Sequence, residues 1–310
     1  MNESVHVAYC FDKNYRQHFG ASLMSLLLNY TAGADALTVH IITGEIDEDL
    51  TRKLDKLSKN FRAKFEIYQP SPEKIAESLI HPIDPTWHIS TASYLRLLVG
   101  DLLPATIGKV LYLDCDTIVL SSVHDIYTTH MEGCTLAGVS DHSAESMMKM
   151  KGTKEYINSG VLLMDLDQWR ARDCKARCFE YAATHRDEIV FVDQCILNSA
   201  LAGEFLQLNE RWNTYILPGS KETDADGAYI LHYLTKDKPW HSWYFSPAKK
   251  YYWRYLDCSP WSGAQPDAPV TVEQALLFAR LLNLEGKKDQ SAAIYEKIIQ
   301  SIHRGNKPGN

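Results

Sequence analysis

Residues 5–43 read VHVAYCFDKNYRQHFGASLMSLLLNYTAGADALTVHIIT, two short apolar runs on either side of a segment of helical length. VHVAYCF at 5–11 has the character of a buried strand, a helical stretch runs from about Arg16 to Asn29, and LTVHIIT at 37–43 supplies the next strand. Strand, helix, strand is the unit that joins parallel strands. Working outward, DEDLTRKLDKLSKN at 47–60 reads as a helix, KFEIY at 64–68 as a strand and SYLRLLVGDLL at 93–103 as a helix. VLYLDCDTIV at 110–119 follows, with further strand candidates at 135–140, 160–166, 205–209 and 229–234. The pattern predicts an α/β fold around a mostly parallel mixed sheet, where ligands bind beyond the carboxyl ends of the strands.

The run in 110–119 is predicted to be an apolar strand that stops on two aspartates one residue apart, Asp114 and Asp116, at its carboxyl end. Side chains at i and i+2 of a strand share a face, so both carboxylates should enter one crevice. Paired carboxylates suit a hard cation such as Mg²⁺ or Mn²⁺, with a diphosphate completing its coordination. No G-x-G-x-x-G follows the first strand, which disfavours dinucleotide binding of the usual kind.

The 310 residues are 45% hydrophobic and 23% charged, with a net charge of −7, so the chain can bury a large core and carries no general field for nucleic acid. Its seven cysteines include no C-x-x-C pair, which argues against a zinc ribbon or a disulfide framework, and Cys174 and Cys178 are expected to be thiols on one helix face. The start, MNESVHVAY, has neither the basic residues nor the apolar core of a secretory leader, and the expected location is the cytoplasm or the inner face of a membrane.

After Tyr255 the composition changes. The prolines of CSPWSGAQPDAP mark a linker over 257–270, and 271–304 reads as two helices separated by Gly286, a tetratricopeptide-like hairpin. Thr271 and Gln274 have capping-box spacing, and Ala275, Phe278, Ala279 and Leu282 form an apolar stripe matched by Ala292, Ile294, Tyr295, Ile298 and Ile299. One such hairpin cannot bury its own apolar face, so it should dock on residues 1–256, on a second copy or on a protein partner.

Six motifs occur in a fixed order: AYCFDKNY at 8–15, HISTASYLRL at 88–97, YLDCDTIV at 112–119, NSGVLLMDL at 158–166, VDQCILN at 192–198 and HYLTKDKPWH at 232–241. Over roughly residues 4–245 the set resembles the retaining glycosyltransferases of family 8, and within it the bacterial enzymes that add α-linked galactose or glucose to lipopolysaccharide. That resemblance implies a Rossmann-like GT-A domain, a UDP-hexose donor, a glycan or glycolipid acceptor and Mn²⁺, with Mg²⁺ as the second candidate. It implies Asp114, Asp116 and His232 as metal ligands, and Lys238 at the diphosphate. Asp12 and Asn14 would read the uracil, although Asp and Asn after a strand also fit a turn or N-cap. Arg96 and His88 correspond to donor-site positions, while their local sequence also suits a surface arginine and a plain loop. Asn158, Asp193 and Gln194 would surround the hexose, with Gln194 near the anomeric carbon.

Retention needs either a carboxylate nucleophile or attack from the face that the leaving group vacates, and a glutamine is a poor nucleophile. Cys195, where the family often has Asp or Gly, removes one candidate nucleophile, so the front-face route is expected. Thr235 departs from the usual Gly of H-x-x-G-x-x-K-P-W. WHSWYFSPAKKYYWRY at 240–255 combines aromatic and basic residues, a composition suited to a peripheral membrane contact or to covering the sheet. Two other functions share parts of the pattern: a haloacid dehalogenase-type phosphohydrolase, whose first motif is a strand ending in D-x-D, and a binding module without turnover.

Overall fold

A computed structural model describes residues 4–31, 36–71, 73, 91–142 and 156–305. Its main sheet contains β1 (Val5–Phe11), β2 (Leu37–Thr43), β3 (Ala63–Tyr68) and β4 (Lys109–Leu113). β5 (Thr117–Val119) belongs to a second sheet, and β6 (Leu136–Ser140), β7 (Ile157–Asp165) and β8 (Phe205–Gln207) return to the first. The order is β3-β2-β1-β4-β7-β6-β8, parallel from β3 to β4, with β7 antiparallel to both neighbours and β8 parallel to β6. β9 (Thr214–Ile216) and β10 (Ile230–Tyr233) complete the small sheet, ordered β5-β10-β9.

The helix Arg16–Asn29 and the strand β2 fall where the opening segment predicts them. β1 and β2 are almost wholly buried because helices cover both faces of the sheet, which is why they read as continuous apolar runs. From β1 the chain proceeds to β2 and β3 on one side and returns to β4 on the other. The crevice beyond β1 and β4 is therefore the topological switch point. The carboxyl ends of β1 and β4 and the amino end of the antiparallel β7 share this rim.

Two local expectations change. β4 stops at the aspartates as expected, but Asp114 and Asp116 lie in the turn that follows it rather than on the strand, and residues 117–119 form β5 in the other sheet. Residues 91–98 form a 3₁₀-helix, followed by the short α-helix Val99–Leu102. In the tighter helix positions i and i+3 eclipse, and Arg96 Nε donates to the Ser93 carbonyl at 3.0 Å.

The Pro-rich segment is not a loose tether, since Trp261 is buried against Phe19 and the Gly20 backbone. Beyond it, the helices Val272–Leu284 and Lys288–Gly305 pack on each other, with the Thr271–Gln274 capping box in place and Ser291 Oγ donating to the Ala279 carbonyl at 2.7 Å. Leu276, Leu277, Leu284 and Ile299 remain exposed. No helix among the described residues is long and apolar enough to cross a membrane.

Candidate metal and nucleotide-sugar site

The main-sheet ladder continues one residue past β4, where Asp114 N donates to the Gly160 carbonyl at 2.8 Å. The Thr117 N–H and hydroxyl then both donate to the Asp114 carbonyl, at 3.2 and 2.7 Å, and fold the chain into β5. This turn, rather than strand alternation, points both carboxylates into the crevice. His232 joins them from β10: one ligand atom each from Asp114, Asp116 and His232 lies within 4.8 Å of the others. Gly160 makes room for them, because a Cβ there would lie 2.3 Å from His232 Cε1 and 2.8 Å from Asp114 Oδ2.

Asp114 Oδ1 accepts from the Tyr112 hydroxyl at 2.7 Å and from Arg96 Nη2 at 2.9 Å. Asp116 Oδ2 accepts from Lys238 Nζ at 2.7 Å, and the same ammonium donates to the Tyr233 carbonyl at 2.6 Å. Burial works against ionisation of Asp116, but the charge of Lys238 beside it prevails and holds the carboxyl well below the usual range. Asp116 Oδ1 is buried, has no hydrogen-bond donor, and lies 3.3 Å from His232 Nε2. An orphaned carboxylate oxygen beside an imidazole nitrogen is costly unless a positive centre sits between them. The donor set of two carboxylates and one imidazole therefore fits a divalent metal, which Asp114, Asp116 and His232 could hold.

Arg96 is buried and holds the opposite wall. It contacts the Ser159 carbonyl and Asp114, lies over the Tyr112 ring at 4.6 Å, and brings Nε to 3.0 Å from Asp193 Oδ2. The last contact is a charge pair without an aligned hydrogen bond, since the Nε–H is directed at Ser93, and Asp193 Oδ2 is left without a donor. Burial pushes Asp193 up to about 6 despite the opposing Arg96 charge. Asp193 and Gln194 lie in the first turn of the helix Val192–Ala200. The turn is entered through Val192 at φ 45°, a strained value for a β-branched residue.

Gln194 is fully committed at its oxygen. Oε1 accepts from Asn158 Nδ2 at 3.0 Å and from Ser159 N at 3.2 Å, while Nε2 donates to Asp141 Oδ2 at 3.1 Å. Asn158 Oδ1 accepts from Gly160 N and from Asn213 Nδ2, each at 2.9 Å, and Asn213 Oδ1 lies 3.0 Å from His232 Nδ1. Cys195 is buried beneath Tyr156 and the Phe191 N–H, and burial pushes its thiol up, so it is no nucleophile.

Asp12 caps the 3₁₀-turn Lys13–Tyr15 by accepting from Asn14 N at 2.9 Å and Tyr15 N at 3.3 Å, and Asn14 is exposed at the rim. The turn lies beside the aspartates: after burial, the charge of Asp116 is the main influence that raises the Tyr15 phenol. His88 lies outside the described residues. Thr235 has φ 75°, a left-handed conformation natural to the glycine of the family motif and strained for threonine. The aromatic residues of 240–255 serve mainly as core: Trp240, Trp243, Tyr244, Tyr252 and Tyr255 are buried, and Trp240 stacks on His18 with centroids 3.5 Å apart. They are thereby withdrawn from any headgroup contact, and Phe245 is the exposed ring.

Asp141, Tyr112 and Asn213 were not singled out from the sequence. Asp141 had a usable signal, an acid just past a strand at the ligand-binding rim. Asn213, in NERWNTY, reads as an ordinary turn residue, and only the fold reveals that it is buried against His232.

Residues 6–244 match the family model described as glycosyl transferase family 8. The chain is 28% identical over 280 residues to general stress protein A of Bacillus subtilis (strain 168), covering 84% of this chain and 96% of that protein. It is 27% identical over 300 residues to lipopolysaccharide 1,2-glucosyltransferase of Escherichia coli (strain K12), covering 91% and 86% of the respective chains. Among solved structures, the galactosyltransferase LgtC in complex with donor and acceptor sugar analogues superposes with a TM-score of 0.70 at 21% identity, over 87% of this chain and 98% of that one. The fold is thus GT-A-like, and with more than two thirds of its length matched by the family model the chain belongs to glycosyltransferase family 8.

Proposed function

We propose that this glycosyltransferase is a metal-dependent retaining enzyme that moves galactose or glucose from a UDP-sugar to a glycan or lipid-linked glycan. The observation that carries the reading is the convergence of Asp114, Asp116 and His232 at the switch point, with Asp116 Oδ1 orphaned and Lys238 alongside. The imidazole favours Mn²⁺ over Mg²⁺. The family match ends at residue 244, which supports a transferase unit over 1–256 with the linker and hairpin appended. The glucosyltransferase relative supports a lipopolysaccharide-type acceptor.

When bound, the metal would supply charge neutralisation to the departing diphosphate. Lys238 would leave Asp116 for the same phosphates as a point charge. Asp12 and Asn14 would frame the uracil, and Asp193 would accept from sugar hydroxyls. The anomeric carbon–phosphate oxygen bond breaks, the acceptor oxygen bonds to that carbon on the same face, and the acceptor proton passes to the departing phosphate oxygen. UDP leaves. Gln194 supports this route over a covalent one, because its carbonyl oxygen already accepts two hydrogen bonds from the protein. Its role is to shape and polarise the sugar pocket.

The test is UDP release from UDP-galactose and UDP-glucose with and without Mn²⁺, followed by NMR assignment of the product anomer on glycan acceptors. Mn²⁺-dependent release, lost in Asp116→Asn, with an α-linked product is expected. Full activity of Asp116→Asn would refute the metal assignment. Phosphate release from phosphomonoesters would favour the phosphohydrolase, and tight UDP-sugar binding without turnover the binding module.

A further inference from the structure

The side chains between the sugar pocket and the metal cluster form one continuous chain, Asp141–Gln194–Asn158–Asn213–His232, with links of 3.1, 3.0, 2.9 and 3.0 Å. Its direction is set by the backbone. Amide oxygens and nitrogens are otherwise interchangeable by a flip. Here the Ser159 N–H donates to Gln194 Oε1 and the Gly160 N–H donates to Asn158 Oδ1, and a backbone N–H can meet only an acceptor. Gln194 must then turn its amide hydrogens to the Asp141 carboxylate. Asn158 must turn its own to Gln194. With Asn158 Oδ1 facing Asn213, Asn213 has to present its NH₂ there and its oxygen to His232 Nδ1.

From this polarity, and resting on the reading of His232 as a metal ligand, we propose that Asn213 is a positioning residue that fixes the His232 tautomer. Its carbonyl oxygen holds the proton on Nδ1, so that Nε2 keeps its lone pair for the metal position. Asp116 Oδ1 lies 3.3 Å from Nε2 and accepts no hydrogen bond, so the two atoms flank the metal position without being bonded to each other. The other tautomer would put a proton on Nε2 where a ligand needs its lone pair, and would leave Nδ1 with a lone pair facing the Asn213 oxygen. Outer partners of this kind orient ligating imidazoles and raise their basicity. All five members of the chain are buried, so water does not compete for these links. The chain also joins the glutamine of the sugar pocket to the metal ligand without a break.

The test is long-range ¹H–¹⁵N correlation on full-length, metal-free protein with ¹⁵N-labelled histidine, at roughly pH 9, above the ordinary imidazole range. The His232 signals are assigned by their loss in His232→Gln. The proposal predicts a pyrrole-type Nδ1 and a pyridine-type Nε2 in the wild type, a shift toward the Nε2–H form in Asn213→Leu, and retention of the Nδ1–H form in Asn213→Asp, whose carboxylate still accepts. Mn²⁺ affinity should fall about 10- to 100-fold in the leucine variant and recover in the aspartate variant. A wild type with its proton on Nε2, or a leucine variant that keeps Nδ1–H, overturns the proposal. Because the spectra need no metal, the two readings fail separately. The predicted tautomer without Mn²⁺ binding would reject His232 as a ligand, whereas Mn²⁺ binding with the opposite tautomer would reject the Asn213 relay.

Discussion

Gly160→Ala is the smallest change that should disable the metal site without touching a proposed ligand. The added methyl would lie 2.3 Å from His232 Cε1, against 3.4 Å for the shortest ordinary contact, so the imidazole has to retreat by 1.1 Å. It would also lie 2.8 Å from Asp114 Oδ2, which displaces a second ligand. Metal–ligand distances tolerate about 0.2 Å, so a shift of this size costs at least the ~100-fold in affinity that marks the upper end of outer-partner losses. Overpacking should also cost about 1–3 kcal/mol of stability. Gly100→Ala separates the two effects, because its methyl would lie 2.3 Å from Trp169 Cδ1, outside the crevice. Mn²⁺ titration followed by the EPR signal of the free ion, beside urea melts of both variants, is the assay. Both should be destabilised, and only Gly160→Ala should lose Mn²⁺ and UDP release. If Gly160→Ala binds Mn²⁺ within about threefold of wild type, a difference below 1 kcal/mol, the cluster is not the metal site.

Thr235→Gly should stabilise the protein by about 1 kcal/mol, the left-handed strain relieved minus the entropy of glycine, as read by thermal melting; a loss would show that the threonine side chain contributes more than its strain costs. Arg96→Lys leaves Asp114 and Asp193 without the guanidinium fork and should cost about 3 kcal/mol in a urea melt, whereas a change below 1 kcal/mol would contradict the ion-pair reading. His18 is buried, stacked on Trp240, and held down from 6.5 to about 3 by burial. Its neutral form favours folding fully above pH 6.5, and that contribution is lost as the pH falls toward 3; between pH 7.5 and 5 it amounts to about 2 kcal/mol. His18→Gln should remove that part of the acid sensitivity. Asp193, raised to about 6, acts in the opposite direction but is common to both proteins and cancels in the comparison. Equal pH slopes for the two would show that His18 is not buried neutral.

The parallel half of the sheet is legible because β1 and β2 are buried on both faces, and their apolar runs end where the chain meets water. The aspartate pair was legible as chemistry but not as geometry. Its residues share a crevice through the turn closed by Thr117, and a turn whose side-chain bond is made to a backbone carbonyl leaves no periodicity to read. The 3₁₀ segment 91–98 escaped for a related reason: Tyr94, Leu95, Leu97 and Leu98 are all buried, so no polar face distinguishes one helix type from another. The composition of 240–255 suits both a membrane interface and a cover for the sheet, and tertiary packing decides between them by taking most of the rings inward around His18 and Trp240. Asn213 could not be found from the sequence, since its importance lies in a contact with His232 across two elements.

The most direct test of the central claim is pulsed EPR of Mn²⁺ bound to the wild-type protein together with UDP, with His232→Gln as reference. The account predicts nitrogen coupling from one imidazole and phosphorus coupling from the diphosphate in the same spectrum, with the nitrogen coupling lost in the variant. A Mn²⁺ signal that shows neither coupling, or a nitrogen coupling unchanged in His232→Gln, would contradict it.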